Sequence, residues 1–364
     1  MPKRFQILSL SGGGYRGLHV ARILELLEEH YKHPIAQHFD LIAGTSIGGI
    51  IAMALALEIP AKNIRETLEN VGPALFPKTP PVFTKAKEIA AQPGLWGKLR
   101  YLWKHQDAIQ DEWKAAESAW YDPTPLKKAL QSVQYFGEKK IGDLKHPVIV
   151  PAVNYSNGLP KFFKTDHHAD FVRDKDLEII DVALGTSAAP VYFPAHKIGD
   201  WRIVDGGLVA NDPTQVAVHE AMCYFGVRPM LYGDSTTGGD DLRILAIGTL
   251  SPKHFADVNR PLDQGLFEWG VGAFELAMSA QEAMSAFMVD KHMLPGKVIR
   301  LPSMEARPES APGLADVSKG SSEILRSSAA SLAQYALGRS DFRSMFEHTA
   351  RTLPEIRQLI EINK

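Results

Sequence analysis

A serine flanked by glycines follows the second predicted strand of the chain. Residues 39–43 form a short apolar stretch, and residues 44–48 read G-T-S-I-G before a buried helical stretch. The pattern G-x-S-x-G between a strand and a helix is typical of a nucleophile elbow, in which Gly44 and Gly48 permit a turn sharp enough to expose the hydroxyl of Ser46. A structural turn with a capping serine gives the same pattern. A second feature in the sequence is therefore needed to identify the turn as a nucleophile elbow.

A glycine-rich loop between the first predicted strand and helix is that second feature. Residues 11–17 read S-G-G-G-Y-R-G. Gly12, Gly14 and Gly17 match the dinucleotide fingerprint, but that motif expects an acidic residue at the end of the next strand, where the serine turn stands instead. A P-loop needs Gly-Lys-Ser/Thr, and here Arg16 precedes the last glycine. The favoured interpretation is an oxyanion hole, in which N–H groups of consecutive glycines point at one spot.

A base for the serine is the remaining requirement. Asp205 follows an apolar pair and precedes Gly206 and Gly207, and a carboxylate on a glycine turn can approach a serine hydroxyl directly. Asp-Gly-Gly is also a common hairpin turn. An α/β-hydrolase would place its elbow several strands into the chain, followed by an acid and then a histidine. Four downstream histidines each have an ordinary surface or core interpretation: His196, His219, His254 and His292.

Composition limits the other functions. The chain has 364 residues, with 40 basic and 42 acidic side chains, so no basic excess indicates a DNA or RNA partner. Cys223 is the only cysteine, which excludes an intrachain disulfide and a four-cysteine zinc site. We expect no cofactor and no metal. The longest apolar run, Ile47–Leu57, is shorter than the roughly 20 residues that span a bilayer. We expect a cytoplasmic protein that meets a membrane only from the surface.

The elements that position these motifs alternate between strand and helix. This alternation in the first 60 residues predicts a mostly parallel sheet covered by helices on both faces. Further strands are predicted at residues 147–154 and 242–249, and the apolar pair at residues 203–204 leads into Asp205. From about Leu266 the pattern is helical, and a loop around residues 302–320 precedes a helical C-terminal tail.

Residues 72–125 differ from the rest of the chain and predict a helical excursion inserted into the core. This segment contains four of the six tryptophans: Trp96, Trp103, Trp113 and Trp120. Trp96, Leu99, Leu102 and Trp103 fall near one helical face, with lysine and arginine close by, which suits a bilayer interface. The alternative is a helix that caps the core and packs its tryptophans inward.

The motifs in their order resemble those of the patatin-like phospholipases. The stretches at residues 185–194 (G-T-S-A-A-P-V-Y-F-P) and 205–213 (D-G-G-L-V-A-N-D-P) extend the resemblance, which covers roughly residues 5–250. It implies a three-layer α/β/α fold with a mostly parallel central sheet, and a catalytic domain over residues 1–310 on which a tail over residues 311–364 packs. Asp212 stands where the family more often has asparagine, and we expect no catalytic consequence.

The same resemblance implies roles for the candidate residues. Ser46 is the expected nucleophile and Asp205 its base, in a dyad without histidine. The oxyanion loop then comprises Gly12, Gly13, Gly14 and Arg16. Arg16 either braces this loop by hydrogen bonding or positions a lipid phosphate, and we favour bracing because the loop already supplies the donors.

A second resemblance concerns control. The chain length, the stretch P-I-A-Q-H-F-D at residues 34–40 and the helical tail are similar to the bacterial patatin-like effectors of cyclic-oligonucleotide anti-phage signalling (CBASS). This implies a phospholipase at the inner face of the cell membrane that is switched on by a cyclic dinucleotide such as 3',3'-cGAMP and degrades membrane phospholipid. A homo-oligomer is left open. The alternatives are an ungated housekeeping lipid acyl hydrolase and a non-enzymatic lipid-binding module, against which the intact serine, aspartate and glycine loop argue.

Overall fold

The computed structural model describes residues 3–77, 92–106, 118–132, 135–231, 238–252, 272–302, 308 and 311–362. Trp113 and His254 lie outside these ranges. So do Leu266, where the helical pattern was expected to begin, and the parts of the excursion at residues 78–91 and 107–117.

Within the described residues, eight strands form one mixed sheet. The strands are β1 (Arg4–Leu10), β2 (Leu41–Gly44), β3 (Val148–Asn154), β4 (Leu159–Lys164), β5 (His196–Ile198), β6 (Trp201–Asp205), β7 (Asp241–Ile247) and β8 (Val298–Leu301). Strands β3, β2, β1, β7 and β8 are parallel neighbours in that order. Strands β4 and β6 pair antiparallel with β3, and β5 pairs antiparallel with β6. The sheet is therefore parallel at its centre and antiparallel at one side.

Helices cover both faces of this sheet. The helices in the first half of the described chain are α1 (Gly17–Tyr31), α2 (Ile47–Ala56), α3 (Ala61–Leu75), α4 (Gly94–Lys104), α5 (Thr124–Leu130) and α6 (Ile179–Thr186). The second half contributes α7 (Gly207–Ala210), α8 (Thr214–Tyr224), α9 (Gly272–Ala286), α10 (Lys319–Gly338), α11 (Ser340–Arg343) and α12 (Leu353–Ile362). A π-helical turn, Phe287–Met293, continues α9.

Strand β1 shows why the molecule has three layers. Its side chains alternate between the two faces of the sheet, and both faces are buried. Phe5 and Ile7 pack in a core with apolar residues of α8. Leu8 and Leu10 pack in a second core with apolar residues of α1 and α2. A strand buried on both sides is typical of the centre of a parallel sheet, and the α/β/α fold class predicted from the sequence is confirmed.

One local prediction is wrong, and one alternative interpretation is excluded. The region predicted as helical after Leu266 contains β8, whose four residues are too few to carry a strand pattern and which forms by pairing with β7. Asp205-Gly206-Gly207 is not a hairpin turn, because the chain passes from β6 directly into α7. The hairpin formed by β5 and β6, and strand β4, were not predicted.

The C-terminal helices pack on the catalytic core. Helix α10 lies along α1 and buries Leu325 and Ala329. Beyond it, the ring of Phe346 stacks on Tyr31 with centroids 4.1 Å apart. Farther on, the Leu353 N–H donates to a core carbonyl, that of Lys145, at 2.7 Å. Among the described residues, no helix combines the length and the hydropathy that crossing a membrane requires.

Candidate active site

Ser46 lies at a strained turn between β2 and α2. Its backbone has φ 55° and ψ −125°, a conformation that is sparsely populated for a residue with a side chain. A Cβ atom at Gly44 would lie 2.2 Å from the Gly48 carbonyl, and one at Gly48 would lie 2.3 Å from the Leu10 carbonyl. Only glycine fits these two positions. The Ser46 side chain does not cap α2, so the interpretation as a capping turn does not describe its hydroxyl.

The hydroxyl of Ser46 is directed at a carboxylate. Ser46 Oγ donates to Asp205 Oδ2 at 2.7 Å, and the Gly207 N–H donates to Asp205 Oδ1 at 2.6 Å. Burial raises the pKa of Asp205 from 3.8 to about 7, although the hydrogen bonds from Ser46 and Gly207 offset part of the rise. A carboxylate whose pKa lies near neutrality and that contacts a hydroxyl directly is suited to general-base chemistry.

The topology of β3 explains how residues so far apart in the chain meet. Ile149 pairs with Ala43 of β2 on one edge and with β4 on the other. Ala152 pairs with β4 and, on the opposite edge, with Asp205 of β6. Strands β2 and β6 therefore share one edge of β3, and because they are antiparallel to each other their carboxyl ends meet. Ser46 lies just beyond the end of β2 and Asp205 is the last residue of β6, so the two side chains are brought together where these strand ends meet.

The glycine loop divides into packing and donor positions. The Gly12 N–H donates to the Asn211 carbonyl at 3.0 Å, and a Cβ at Gly12 would lie 2.4 Å from Asn211 Oδ1. Gly12 thus serves close packing, and its N–H is occupied. The N–H groups of Gly13 and Gly14 have no hydrogen bond to another described residue, and both glycines border the same pocket as Ser46. These two N–H groups are available to an oxygen anion.

Arg16 supports the loop from within. The residue is buried, and its Nε donates to the Gly13 carbonyl at 3.4 Å. On the other side, Thr249 Oγ1 donates to the Gly12 carbonyl at 2.8 Å. The contact to Gly13 agrees with the bracing interpretation of Arg16.

Several supporting residues were not identified from the sequence. The Ser46 N–H donates to Thr186 Oγ1 at 3.0 Å, and Thr186 donates in turn to the Pro151 carbonyl at 2.6 Å. Asn211 Nδ2 donates to the buried Glu282 of α9 at 2.5 Å. Thr186 lies in the first of the two family-like stretches and Asn211 in the second, so the resemblance was a signal from which both could have been identified. No local pattern marks Glu282.

Asp212, the position that departs from the family, belongs to a buried ion-pair network. Arg300 of β8 donates to Asp212 Oδ2 at 2.6 Å and also pairs with Asp290. Burial alone would raise the pKa of Asp212, but the Arg300 guanidinium and the Thr214 hydroxyl hold it below its usual value. The carboxylate therefore stays charged and ties the segment after α7 to β8.

An apolar pocket borders Ser46 and Asp205. Its empty volume is about 930 Å³, including the part that opens to solvent. Most of the lining side chains are aliphatic or aromatic: Ile47, Ile50, Leu68, Val71, Leu75, Phe76, Leu126, Leu184, Tyr192, Phe193, Phe274, Met278 and Leu314. A wall of this composition suits the hydrocarbon chain of a lipid, with the ester placed at the serine.

Three of the four candidate histidines lie in the described residues, and each contacts a group other than Ser46. His196 lines the pocket, but its Nε2 lies 2.8 Å from Asp181 Oδ1. His219 contacts Cys223, and His292 packs on the ring of Phe287. None of the described histidines is hydrogen-bonded to Ser46. In the part of the chain that the structure describes, no group of three His, Cys, Asp or Glu side chains is placed to hold a metal ion.

The tryptophans of the excursion divide between the two interpretations. Trp96 and Trp103 on α4 are 85% and 80% exposed, and α4 buries none of its residues. Trp120 instead packs against Tyr192 at a ring distance of 5.4 Å. The described ends of the excursion lie at the pocket, where Phe76 and Tyr121 contact each other edge to face. Trp120 therefore packs on the core, as the capping interpretation expects, whereas the two tryptophans of α4 do not.

Comparisons with known proteins show what this chain is similar to. The sequence model of a family described as patatin-like phospholipase matches residues 8–218. The chain is 36% identical over 349 residues to a protein of Pseudomonas aeruginosa named cGAMP-activated phospholipase, covering 95% of this chain and 93% of the relative. Proteins with the same name from Escherichia coli (40% identity; 68% and 62% of the two chains) and Vibrio cholerae (35%; 78% and 75%) also match. The crystal structure of VipD from Legionella pneumophila aligns with 92% of this chain and 67% of its own, at 14% identity and a TM-score of 0.39.

Proposed function

The chain belongs to the patatin-like phospholipase family, and from this premise we propose that Ser46 and Asp205 form the dyad with which it hydrolyses acyl esters of membrane phospholipids. The observation that carries the proposal is the 2.7 Å hydrogen bond from Ser46 Oγ to Asp205 Oδ2 beside an apolar pocket. The hydrocarbon chain occupies the pocket, and the ester carbonyl lies against the serine.

Acylation begins when Ser46 Oγ attacks the ester carbonyl carbon and its proton passes to Asp205. The carbonyl oxygen becomes an anion that accepts hydrogen bonds from the N–H groups of Gly13 and Gly14. Loss of one such donor typically lowers the rate by about 10²–10³. The intermediate then collapses, and the leaving alkoxide takes the proton from Asp205. The products of this step are a lysophospholipid and an acyl ester on Ser46.

Deacylation repeats these steps with water as the nucleophile. Asp205 removes a proton from water as the water oxygen attacks the acyl ester, and the same two N–H groups hold the oxyanion. The proton returns to Ser46 Oγ when the fatty acid leaves. Throughout the cycle, the Gly207 N–H holds Asp205 Oδ1 at 2.6 Å, which keeps Oδ2 turned toward the serine.

The test of the dyad is Ser46→Ala, assayed on a fluorogenic short-chain ester. We expect turnover to fall by about 10³ or more, because alanine has no hydroxyl with which to attack the ester. Ser331→Ala on the outer side of α10 is the matched control, with unchanged activity and the same far-UV circular dichroism. A folded Ser46→Ala protein with wild-type turnover would exclude Ser46 as the nucleophile.

We further propose that a cyclic dinucleotide such as 3',3'-cGAMP activates this enzyme, and that it acts on the inner face of the cell membrane in anti-phage defence. The support is the relative from P. aeruginosa, whose name states activation by cGAMP and whose similarity extends over 93% of its length. A ligand activates by binding the competent conformation more tightly than the resting one.

Hydrolysis of phospholipid vesicles tests this activation. Activity is measured with and without micromolar 3',3'-cGAMP, alongside other cyclic di- and trinucleotides. We expect low activity without ligand and a large increase with one cyclic dinucleotide. High activity that no cyclic nucleotide changes would instead favour the second candidate, an ungated lipid acyl hydrolase.

A further inference from the structure

Helix α9 has its polarity reversed relative to an ordinary surface helix. Such a helix turns its apolar face inward and its charged residues toward water. Across residues 272–288 the exposed positions are instead glycine, alanine or larger apolar residues: Gly272, Ala273, Leu276, Ala277, Ala280, Ala283, Met284, Phe287 and Met288. The two charged residues of this stretch, Glu275 and Glu282, are not exposed. We call these exposed positions the outer face of α9.

The inward polar residues fix this orientation. Glu282 accepts from Asn211, and Gln281 Oε1 accepts from the Asp212 N–H at 2.8 Å. Glu275 accepts from the Tyr192 hydroxyl at 3.4 Å. Turning the outer face away from solvent would break these bonds and leave buried polar groups unpaired. These inward hydrogen bonds therefore hold the apolar face of the helix toward solvent.

The same helix forms part of the substrate pocket. Phe274 and Met278 line the pocket beside Ser46. An α-helix with its side chains is about 10–12 Å across, so the outer face lies within about that distance of the pocket wall. Because the outer face and the pocket wall are two sides of one helix, a bilayer docked on the outer face lies close to the pocket.

We propose that the outer face of α9 is a surface with which this enzyme docks on a lipid bilayer, an inference that rests on the proposed hydrolysis of membrane phospholipids. Its large members, Leu276, Met284 and Phe287, are 41%, 59% and 57% exposed. Apolar side chains on one helical face enter the boundary between headgroups and acyl chains. The exposed Lys291 and His292 follow directly at the end of this face, where a cation meets anionic headgroups.

The test compares two pairs of substitutions on two helices. Met284→Glu with Phe287→Glu places two charges on the outer face. Ile324→Glu with Tyr335→Glu does the same on α10, where the side chains are 52% and 63% exposed. Co-sedimentation with vesicles of phosphatidylglycerol and phosphatidylethanolamine is measured with and without 3',3'-cGAMP. We expect the α9 pair to weaken vesicle binding about tenfold or more and the α10 pair to leave it unchanged. Turnover of a short-chain soluble ester checks that each variant is folded.

A second measurement does not depend on introducing charge. Phe287→Trp and Ile324→Trp each add one tryptophan to an apolar exposed position. Phospholipids with brominated acyl chains should quench the added fluorescence of the α9 variant and leave that of the α10 variant unquenched. Equal quenching of the two variants, or unchanged vesicle binding by the charged α9 pair, overturns the proposal.

Two further outcomes separate the alternatives. If the charged α9 pair instead converts a dimer into a monomer in light scattering and binds vesicles as before, the outer face joins two copies of this chain and the proposal is wrong. Ser46→Ala should bind vesicles as the unsubstituted enzyme does, because the dyad takes no part in docking. Vesicle binding is therefore measured independently of whether Ser46 proves to be the nucleophile.

Discussion

At the scale of single residues, the site depends on a carboxyl group that is held away from water. Asp205 is buried and receives hydrogen bonds from Ser46 and Gly207. Sequence patterns predicted Ser46 and Asp205, because glycines flank the serine and two glycines directly follow the aspartate. They did not predict Glu282, whose bond to Asn211 joins positions 71 residues apart without a local pattern. The family resemblance placed Gly12 in the oxyanion loop, and the structure shows that its N–H is bonded to a carbonyl.

The pKa of Asp205 predicts the pH dependence of turnover. Burial raises this pKa to about 7, and only the ionised carboxylate accepts the Ser46 proton. We expect kcat/KM on a soluble ester to rise tenfold per pH unit below about pH 7 and to level off above it. A profile measured from pH 5 to pH 9 checks this. A plateau that persists down to pH 5 would contradict a base with a raised pKa.

Asp205→Asn should separate activity from stability. The amide cannot accept the Ser46 proton, so we expect turnover to fall by about 10³ or more. Because the folded pKa is raised, ionised Asp205 destabilises the fold at pH values above it, and this penalty disappears below the unfolded value near 4. Thermal unfolding should therefore show an equal or higher midpoint for the variant at pH 8 and no gain at pH 4. A large loss of stability at pH 8 would contradict this account.

At the scale of elements, the sheet brings Ser46 and Asp205 together where the carboxyl ends of β2 and β6 meet. The alternation of strand and helix segments predicted a mostly parallel sheet covered on both faces, and the family resemblance implied the three layers. The meeting of β2 and β6 on one edge of β3 was not predictable, since it depends on pairing registers between distant segments. The packing of the excursion was likewise not predictable from the sequence. Its sequence predicted an amphipathic helix, and only the fold shows that α4 leaves Trp96 and Trp103 exposed.

The exposed tryptophans of α4 should matter for vesicles and not for soluble substrates. Trp96→Ala with Trp103→Ala removes two aromatic side chains of the kind enriched at bilayer interfaces. We expect hydrolysis of liposomes to fall severalfold and hydrolysis of a short-chain ester to stay nearly unchanged. Trp201→Ala, at a 40% exposed position on β6, is the comparison variant. Equal losses on both substrates would show that the α4 tryptophans support the fold.

At the scale of the whole molecule, the helices after residue 311 are part of the hydrolase. The Leu314 carbonyl accepts from the Tyr15 N–H at 2.8 Å, and the Tyr15 hydroxyl contacts Ser322 at 2.9 Å. The Gln6 side chain of β1 donates to the Met345 carbonyl at 2.8 Å. Helical periodicity predicted the tail itself. These contacts could not be predicted, because each is a single polar or backbone group that meets a distant segment.

Phe346→Ala tests whether the tail and the core unfold together. This ring is buried and stacks on Tyr31 of α1, and removing a buried phenylalanine side chain typically lowers the free energy of unfolding by about 3–5 kcal/mol. We expect urea unfolding followed by circular dichroism to show one transition at a lower midpoint. Ile324→Ala on the exposed side of α10 should shift the midpoint little. Loss of the tail in a separate early transition would contradict a single cooperative unit.

The contact of Leu314 with the glycine loop limits which segments can be exchanged between related enzymes to make a chimera. A Cβ at Gly14 would lie 2.5 Å from the Leu314 carbonyl, so the loop that we propose to supply the oxyanion donors packs tightly against a segment some 300 residues later in the chain. A chimera that joins this core to the tail of a relative inherits a foreign surface at that contact. Exchange between relatives should therefore preserve activity only when the loop and its distant support are transferred as a matched pair.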